Sequence, residues 1–360
     1  MNTELLTSEA VELLRQLVST PRVSRDEAAA ASVFADFIGG KGFRVHCEAN
    51  NVWCVAEGYT EGRPTLLMNA HLDTVKAASA WTRNPLSPTL EGDRLYGLGT
   101  NDDGASLVAL AQAFRVLSAR PQSYNLILLA SAEEEVSGRD GIERALPCLP
   151  QIDVALVGEP TGMQPAIAEK GLMVLDVTAH GRAGHAAREE GINAIYRAVD
   201  DIAWFRNFRF PEESPLLGPV KMSVTIINAG SQHNVVPDEC RFTVDVRSNE
   251  CYSNEQLYKE ICAHVGSEVK ARSFRLNSSR IDSDHPLVRR ALALGPAPDG
   301  RPRSTFGSPT LADQALMPWP SMKMGPGDSA RSHTADEFIY ISEIRSAIED
   351  YVCLLDGLCL

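Results

Sequence analysis

Three consecutive carboxylates, Glu133, Glu134 and Glu135, directly follow the apolar run 126–132. Adjacent anions repel, so such a triplet costs little only in open water or around bound cations. The apolar run reads as a buried strand. The triplet then falls at a strand's carboxyl end, where open α/β sheets carry their active sites. The chemistry this points to is metal-assisted hydrolysis. A solvated charge run at a helix start would look the same in isolation, so the triplet needs partners.

Partners are present. His71 and Asp73 follow the apolar run 66–70, and period-two spacing puts both on one side of an extended segment. An imidazole is a good zinc ligand, and a carboxylate on its other nitrogen would fix its tautomer and aim. The stretch 97–104, Gly-Leu-Gly-Thr-Asn-Asp-Asp-Gly, precedes a helix pattern from Ala105. A dinucleotide-binding loop is disfavoured there, because Asp102 and Asp103 would repel a pyrophosphate at the helix start. One of the two aspartates could instead cap the helix. Gly158-Glu159-Pro160-Thr161 follows the apolar run 154–157, and Ser332-His333-Thr334 lies in a Gly-rich loop near the end of the chain. Asp336 and Glu337 could simply start the last helix. Taken together, these groups offer oxygen and nitrogen donors without thiolate, the set that suits two zinc ions sharing a carboxylate; cobalt or manganese would also fit.

The elements around these groups alternate. Helical periodicity runs through 8–39, strands read at 43–57, 64–70, 126–132 and 154–157, and an amphipathic helix at 105–117. This is a parallel-rich central sheet with helices on both faces. From residue 172 the texture changes to strand 172–179, helix 193–205, strands 221–228 and 240–247, helix 254–265 and strand 273–276. That β-α-β-β-α-β order predicts two helices on one antiparallel sheet. The Pro- and Gly-rich stretch 295–303 reads as an exposed loop, and a helix at 341–355 closes the chain.

The 360 residues suffice for two domains, and a net charge of −13 argues against nucleic acid or anionic membrane as the main partner. No apolar run reaches membrane-span length, and the first residues are not a secretory signal. Eight scattered cysteines without a Cys-x-x-Cys pair suit a reducing compartment, so a cytoplasmic location is expected.

Asn69-Ala70-His71-Leu72-Asp73-Thr74-Val75, Gly97-x-Gly-x-x-Asp102, Glu133-Glu134-Glu135, Gly158-Glu159-Pro160-Thr161 and His333-Thr334-Ala335-Asp336-Glu337 occur in order along nearly the whole chain. This series resembles the di-zinc aminoacylase/carboxypeptidase family. The loop 97–99 and the segment 306–310 look most like its acetylornithine deacetylase branch, and its variants acting on N-acyl ornithine or citrulline. The resemblance implies a zinc-exopeptidase-like α/β catalytic domain with a central mixed sheet (1–171 and 285–360). It also implies an inserted ferredoxin-like lid and dimerisation domain (172–284), hence a homodimer. His71 and Glu159 would hold one zinc, Glu135 and His333 the other, and Asp102 would bridge. The peptide bond after the bridging aspartate is often cis in the family. Asp73 would support His71, and Glu134 would be general base and proton shuttle, its pKa raised by Glu133 and Glu135. His185 would stabilise the oxyanion from the lid, reaching the partner subunit's site. Asn234 and Arg247 would bind the substrate carboxylate. Leu98 and Gly104 stand where the family usually has Arg and Lys, and Arg188 stands near a customary proline. Arg188 is the expected contact for a succinyl carboxylate. The expected reaction is removal of an acetyl or succinyl group from a small N-acyl amino acid, in arginine biosynthesis. Succinyl-diaminopimelate desuccinylase and di-zinc dipeptidase or carboxypeptidase are the alternatives.

Overall fold

The computed structural model describes residues 2–360. The chain divides into two units, one of residues 1–167, 281–306 and 312–360, the other of 168–280 and 307–311. The second is thus an insertion into the first, with limits slightly different from 172–284 and with the short segment 307–311 added. Among the described residues no helix is long and apolar enough to cross a membrane.

The first unit is built on a mixed sheet. Its parallel centre consists of Asn125–Ser131, Thr65–His71, Val154–Val157 and Ser321–Lys323, side by side in that order. The hairpin Val45–Glu48 and Asn51–Val55 extends it antiparallel at one edge. Ala166 continues it antiparallel next to Lys323. Both faces are covered, as a parallel centre requires. On one face Leu66, Met68, Ala70, Leu126, Leu128 and Leu156 pack against helices Thr3–Ser19, Ala105–Ser118 and Ile341–Leu355. On the other, Leu67, Ile127, Leu129 and Ala155 meet Ile142, Ala145, Ala312 and Met317. Helix Ala105–Ser118 departs from expectation. It is buried almost all round instead of amphipathic, because the sheet lies on one side of it and two helices on the other.

The second unit has a four-stranded antiparallel sheet in the order Lys221–Ala229, Glu239–Arg247, Met173–His180, Glu268–Ala271. Helices Ala194–Asn207 and Asn254–His264 contribute Ala194, Ala198, Phe205, Leu257 and Ile261 to its core. The element order is the expected one, but the last strand is Glu268–Ala271 and not 273–276. An edge strand is short and charged, so Glu-Val-Lys-Ala carries little hydrophobic signal. Phe274 supplied that signal from a loop, where it packs against Tyr258.

The 295–303 stretch is a loop that ends in an anchor. The Arg303 side chain is 1% exposed; it pairs with Asp350 on the terminal helix at 2.6 Å and donates to the carbonyls of Gly295 and Met163. Removing one partner of a buried pair strands the other charge, at a cost of roughly 3–5 kcal/mol. Arg303→Ala should therefore lower the urea midpoint much more than substitution of an exposed arginine such as Arg139→Ala. Equal midpoints for the two variants would refute the anchor.

Candidate metal centre

Parallel strands in register deliver the site. His71 is the last residue of Thr65–His71 and pairs with Ser131, the last of Asn125–Ser131. The chain leaves the second strand through Glu133, whose φ is +53°, into a 3₁₀ turn starting at Glu134. The third strand ends at Val157, and Gly158 passes so close to Ser106 that a Cβ would lie 2.5 Å from its Cβ. Glu159 follows. The carboxyl ends of three neighbouring strands thus present His71, the Glu triplet and Glu159 at one edge. Two loops add Asp102 and His333. Neither Asp102 nor Asp103 caps the helix from Ala105; its cap is Gly104, without a side-chain bond. The peptide bond between Asp102 and Asp103 is cis.

These groups converge. Asp102 presents one oxygen to each histidine: Oδ1 lies 3.1 Å from His71 Nε2, and Oδ2 lies 3.6 Å from His333 Nε2. His333 Nε2 is 2.9 Å from Glu135 Oε2. His71, Glu134 and Glu159 form one group with ligand atoms all within 4.8 Å of one another, and His71, Asp102 and Glu135 form a second. Asp73 lies beside His71, as expected, and does more besides. The Nδ1 of His71 is closer to the Asp73 carbonyl oxygen (3.0 Å) than to its carboxylate (3.6 Å). The Asp73 carboxylate also accepts the backbone N–H groups of Glu134 (3.0 Å) and Glu135 (3.2 Å) and the Ser24 hydroxyl (2.6 Å). One side chain therefore orients both the histidine segment and the Glu134–Glu135 turn.

The electrostatics ask for positive charge. Burial opposes a charge on His71, yet Asp102 and Asp73 hold its pKa well above the usual histidine range. Hydrogen bonding to Glu135 raises His333 to about 9. Burial pushes Glu134 well above the carboxylate range; among its neighbours Glu159, Asp313 and Glu135 add repulsion and His71 opposes it. Burial, more than the adjacent triplet members, thus sets the proton affinity of Glu134. A concentration of buried oxygen and nitrogen donors around two histidines, with protons drawn in to offset the charge, fits a pair of divalent cations.

Further residues hold these groups in place, a part that sequence reasoning assigns to none of them. Glu337 does not start the last helix, which begins at Ile341. Its carboxylate accepts the backbone N–H groups of Gly99, Asn101 and Asp102 at 2.8–3.0 Å, fixing the loop that carries Asp102. Asp336 likewise accepts the N–H groups of Thr82 and Arg83. The buried Arg22 donates to the carbonyls of Leu72 (2.6 Å) and Gly99 (2.7 Å), tying the His71 segment to the same loop. Behind His71, the Ser131 hydroxyl and the Asn69 amide, oriented by its neighbours, donate to the buried carboxylate of Asp313. Arg22, Ser24 and Asp313 stand in unremarkable sequence, and only the fold brings them here.

His185, Arg188, Asn234 and Arg247 lie in the second unit. His185 is in a two-residue strand pairing with Val235–Val236; its carbonyl accepts the Arg188 N–H at 2.8 Å, and the Asn234 carbonyl accepts the Ala186 N–H at 2.9 Å. These three residues are therefore close together. Arg247 lies apart from them at the end of Glu239–Arg247, where it pairs with Asp245 at 2.9 Å.

Burial raises the Asp313 carboxyl from 3.8 to about 6. Below pH about 4 it is neutral folded and unfolded; above 6 it is ionised in the fold against its preference. The cost therefore appears as pH rises through that window. Metal-free Asp313→Asn protein should gain on the order of 2–3 kcal/mol over wild type between pH 4 and pH 7 in urea unfolding. A difference that does not change with pH would contradict this.

Residues 67–356 match the sequence pattern of Peptidase family M20/M25/M40. Acetylornithine deacetylase of Proteus mirabilis (strain HI4320) is 26% identical over 385 aligned positions, covering 100% of this chain and 99% of that protein. The Pectobacterium atrosepticum acetylornithine deacetylase is 26% identical, covering 94% of this chain and 95% of its own. Among solved structures, aminopeptidase PepT of Bacillus cereus superposes with a TM-score of 0.77 at 20% identity, covering 97% and 98% of the two chains. An M20 family metallo-carboxypeptidase of Sulfolobus solfataricus gives a TM-score of 0.74 at 18% identity, covering 96% and 98%. At these identities the superpositions speak to the fold alone.

Proposed function

We propose that this chain, which belongs to peptidase family M20/M25/M40, uses its metal-dependent amide-hydrolase site to remove an acetyl or succinyl group from a small N-acyl amino acid. N2-acylornithine and N-acylcitrulline are the substrates of choice, with a place in arginine biosynthesis in the cytoplasm. The observation that carries the hydrolytic reading is Asp102 offering one carboxylate oxygen to each of two histidines. The end-to-end similarity to acetylornithine deacetylases supports the choice of substrate.

His71 and Glu159 would hold one ion, Glu135 and His333 the other, with Asp102 shared between them. Zinc is the expected metal; cobalt or manganese would suit the same donors. When bound, the ions supply Lewis acidity and a water of lowered pKa. Glu134 takes a proton from the attacking water and delivers it to the leaving α-amine. Its burial favours the carrying of that proton, and Asp73 holds its backbone N–H so that the carboxylate stays aimed. His185 is assigned to the oxyanion, from the lid of a partner subunit. Asn234 and Arg247 are assigned to the substrate carboxylate; Arg247 would have to exchange its Asp245 partner for it. A homodimer through the second unit is part of this reading. It is supported by Lys221–Ala229, a sheet edge that leaves Ile226 and Ile227 more than half exposed.

Glu134→Gln should keep its metal content, measured by elemental analysis, and lose about 10²–10⁴-fold in kcat. Near-normal turnover would remove Glu134 from the role of base. A hydrolysis panel over N-acetyl and N-succinyl derivatives of ornithine, citrulline and diaminopimelate, with dipeptides alongside, tests the substrate class. N-acylornithine or N-acylcitrulline should lead; preference for dipeptides would refute the deacylase reading. Arg188→Ala should depress succinyl substrates more than acetyl ones, and equal losses would refute its assignment.

A further inference from the structure

The two loops that carry Asp102 and His333 are far apart in sequence, yet one side chain spans them. Asn101, fully buried, directs its whole carboxamide at the other loop. Its Nδ2 donates to the Asp328 carbonyl at 3.1 Å and to Ser332 Oγ at 3.2 Å, while its Oδ1 accepts the Asp328 N–H at 3.0 Å. The carboxamide thus pairs with both main-chain groups of Asp328, as a neighbouring strand would. An aspartate there would lose the donor, and a serine or alanine would not reach. The opposite loop is shaped to receive it. Gly327 has φ +89°, and a Cβ at that position would lie 2.3 Å from Asn101 Oδ1. Beyond the carboxamide, the Asn101 backbone N–H donates to Glu337, and the Gly97 N–H donates to the Glu337 carbonyl. The 325–328 stretch is bonded in turn to the segment after Glu159, through Gly162 N–H to the Gly327 carbonyl at 2.7 Å.

The side chains that need this support are the ones beside it. Asp102 is the next residue after Asn101, and His333 follows Ser332, one of the atoms Asn101 holds. His333 is itself poorly enclosed: its side chain is 54% exposed and its φ is +59°. His71, by contrast, ends a central strand and is 2% exposed. The sheet fixes one histidine, whereas the other depends on its loop.

We infer that Asn101 is a positioning residue that joins the Asp102 and His333 loops into one rigid element, presenting the shared carboxylate and the loop histidine as a preassembled pair. This rests on the reading of the site as a dinuclear centre. Loss of the carboxamide frees the His333 loop and leaves the strand-borne His71 in place. Its effect therefore falls on one of the two ions.

The test titrates chelator-stripped protein with Zn²⁺ against a competing chelator, for wild type, His333→Ala and Asn101→Ala. Wild type should bind two ions. Asn101→Ala should weaken the ion that His333→Ala loses by at least about tenfold, with the other ion held within about twofold. Two ions bound as in wild type would overturn the coupling while leaving the dinuclear reading intact, and equal weakening of both would overturn it as well. A wild type that binds fewer than two ions would take down the dinuclear reading and this inference together. Hydrogen exchange on metal-free wild type needs no variant. Segments 97–104 and 325–333 should show matching protection; a freely exchanging 325–333 beside a protected 97–104 would overturn the proposal.

Discussion

Five carboxylates, Asp73, Asp102, Glu134, Glu135 and Glu159, crowd around two histidines where three parallel strands end. Two like charges about 4 Å apart repel by roughly 4 kcal/mol even at an effective dielectric near 20. No packing of apolar side chains offsets several such pairs. The charges must be met by protons or by cations: burial holds Glu134 well above the usual carboxylate range, and neighbouring carboxylates raise His333 and, against its burial, His71. Two divalent ions answer the same demand and add chemistry. The rest of the first unit can be understood as a frame that keeps these anions from moving apart.

The frame works through backbone groups. Asp73 accepts the N–H groups of Glu134 and Glu135, and Glu337 accepts those of Gly99, Asn101 and Asp102. Each of these carboxylates satisfies main-chain donors that would otherwise be orphaned in a tight turn, and so fixes the turn that carries Glu134 and Glu135 or Asp102. Arg22 contributes a buried cation between the same segments, donating to Leu72 and Gly99. The apolar sheet beneath, with Leu66, Met68, Leu126 and Leu128 fully packed, gives that polar layer a stiff floor. Function and fold meet at the register His71 with Ser131, which places the histidine beside the strand that leads to the Glu133–Glu135 triplet.

Much of this was legible in the sequence, for stated reasons. Buried parallel strands read as continuous apolar runs, and charged residues directly after such runs stand out, so His71, the Glu triplet and Glu159 could be named with their strands. The β-α-β-β-α-β order of the insertion was likewise written in periodicity. What escaped depends on distance in the chain. Glu337 looked like a helix start because its partners lie at 99–102. Asp73 looked like a support for His71 alone because the Glu134 N–H is distant in sequence. The edge strand Glu268–Ala271 escaped because an exposed edge needs no apolar signature. Arg22, in a loop, and Asp313, at the start of the short 3₁₀ turn Asp313–Leu316, escaped because a single polar residue outside a long helix or strand has no periodicity to break.

The central claim is that the carboxylate cluster exists to hold two cations that share Asp102. Anomalous diffraction at the zinc edge, on crystals of the zinc-loaded protein, tests it most directly. Two peaks should flank Asp102, separated by roughly 3.5–4 Å as in other two-metal hydrolytic sites. One should lie on the His71 side and the other on the His333 side. A single peak, or peaks away from Asp102, would contradict the account.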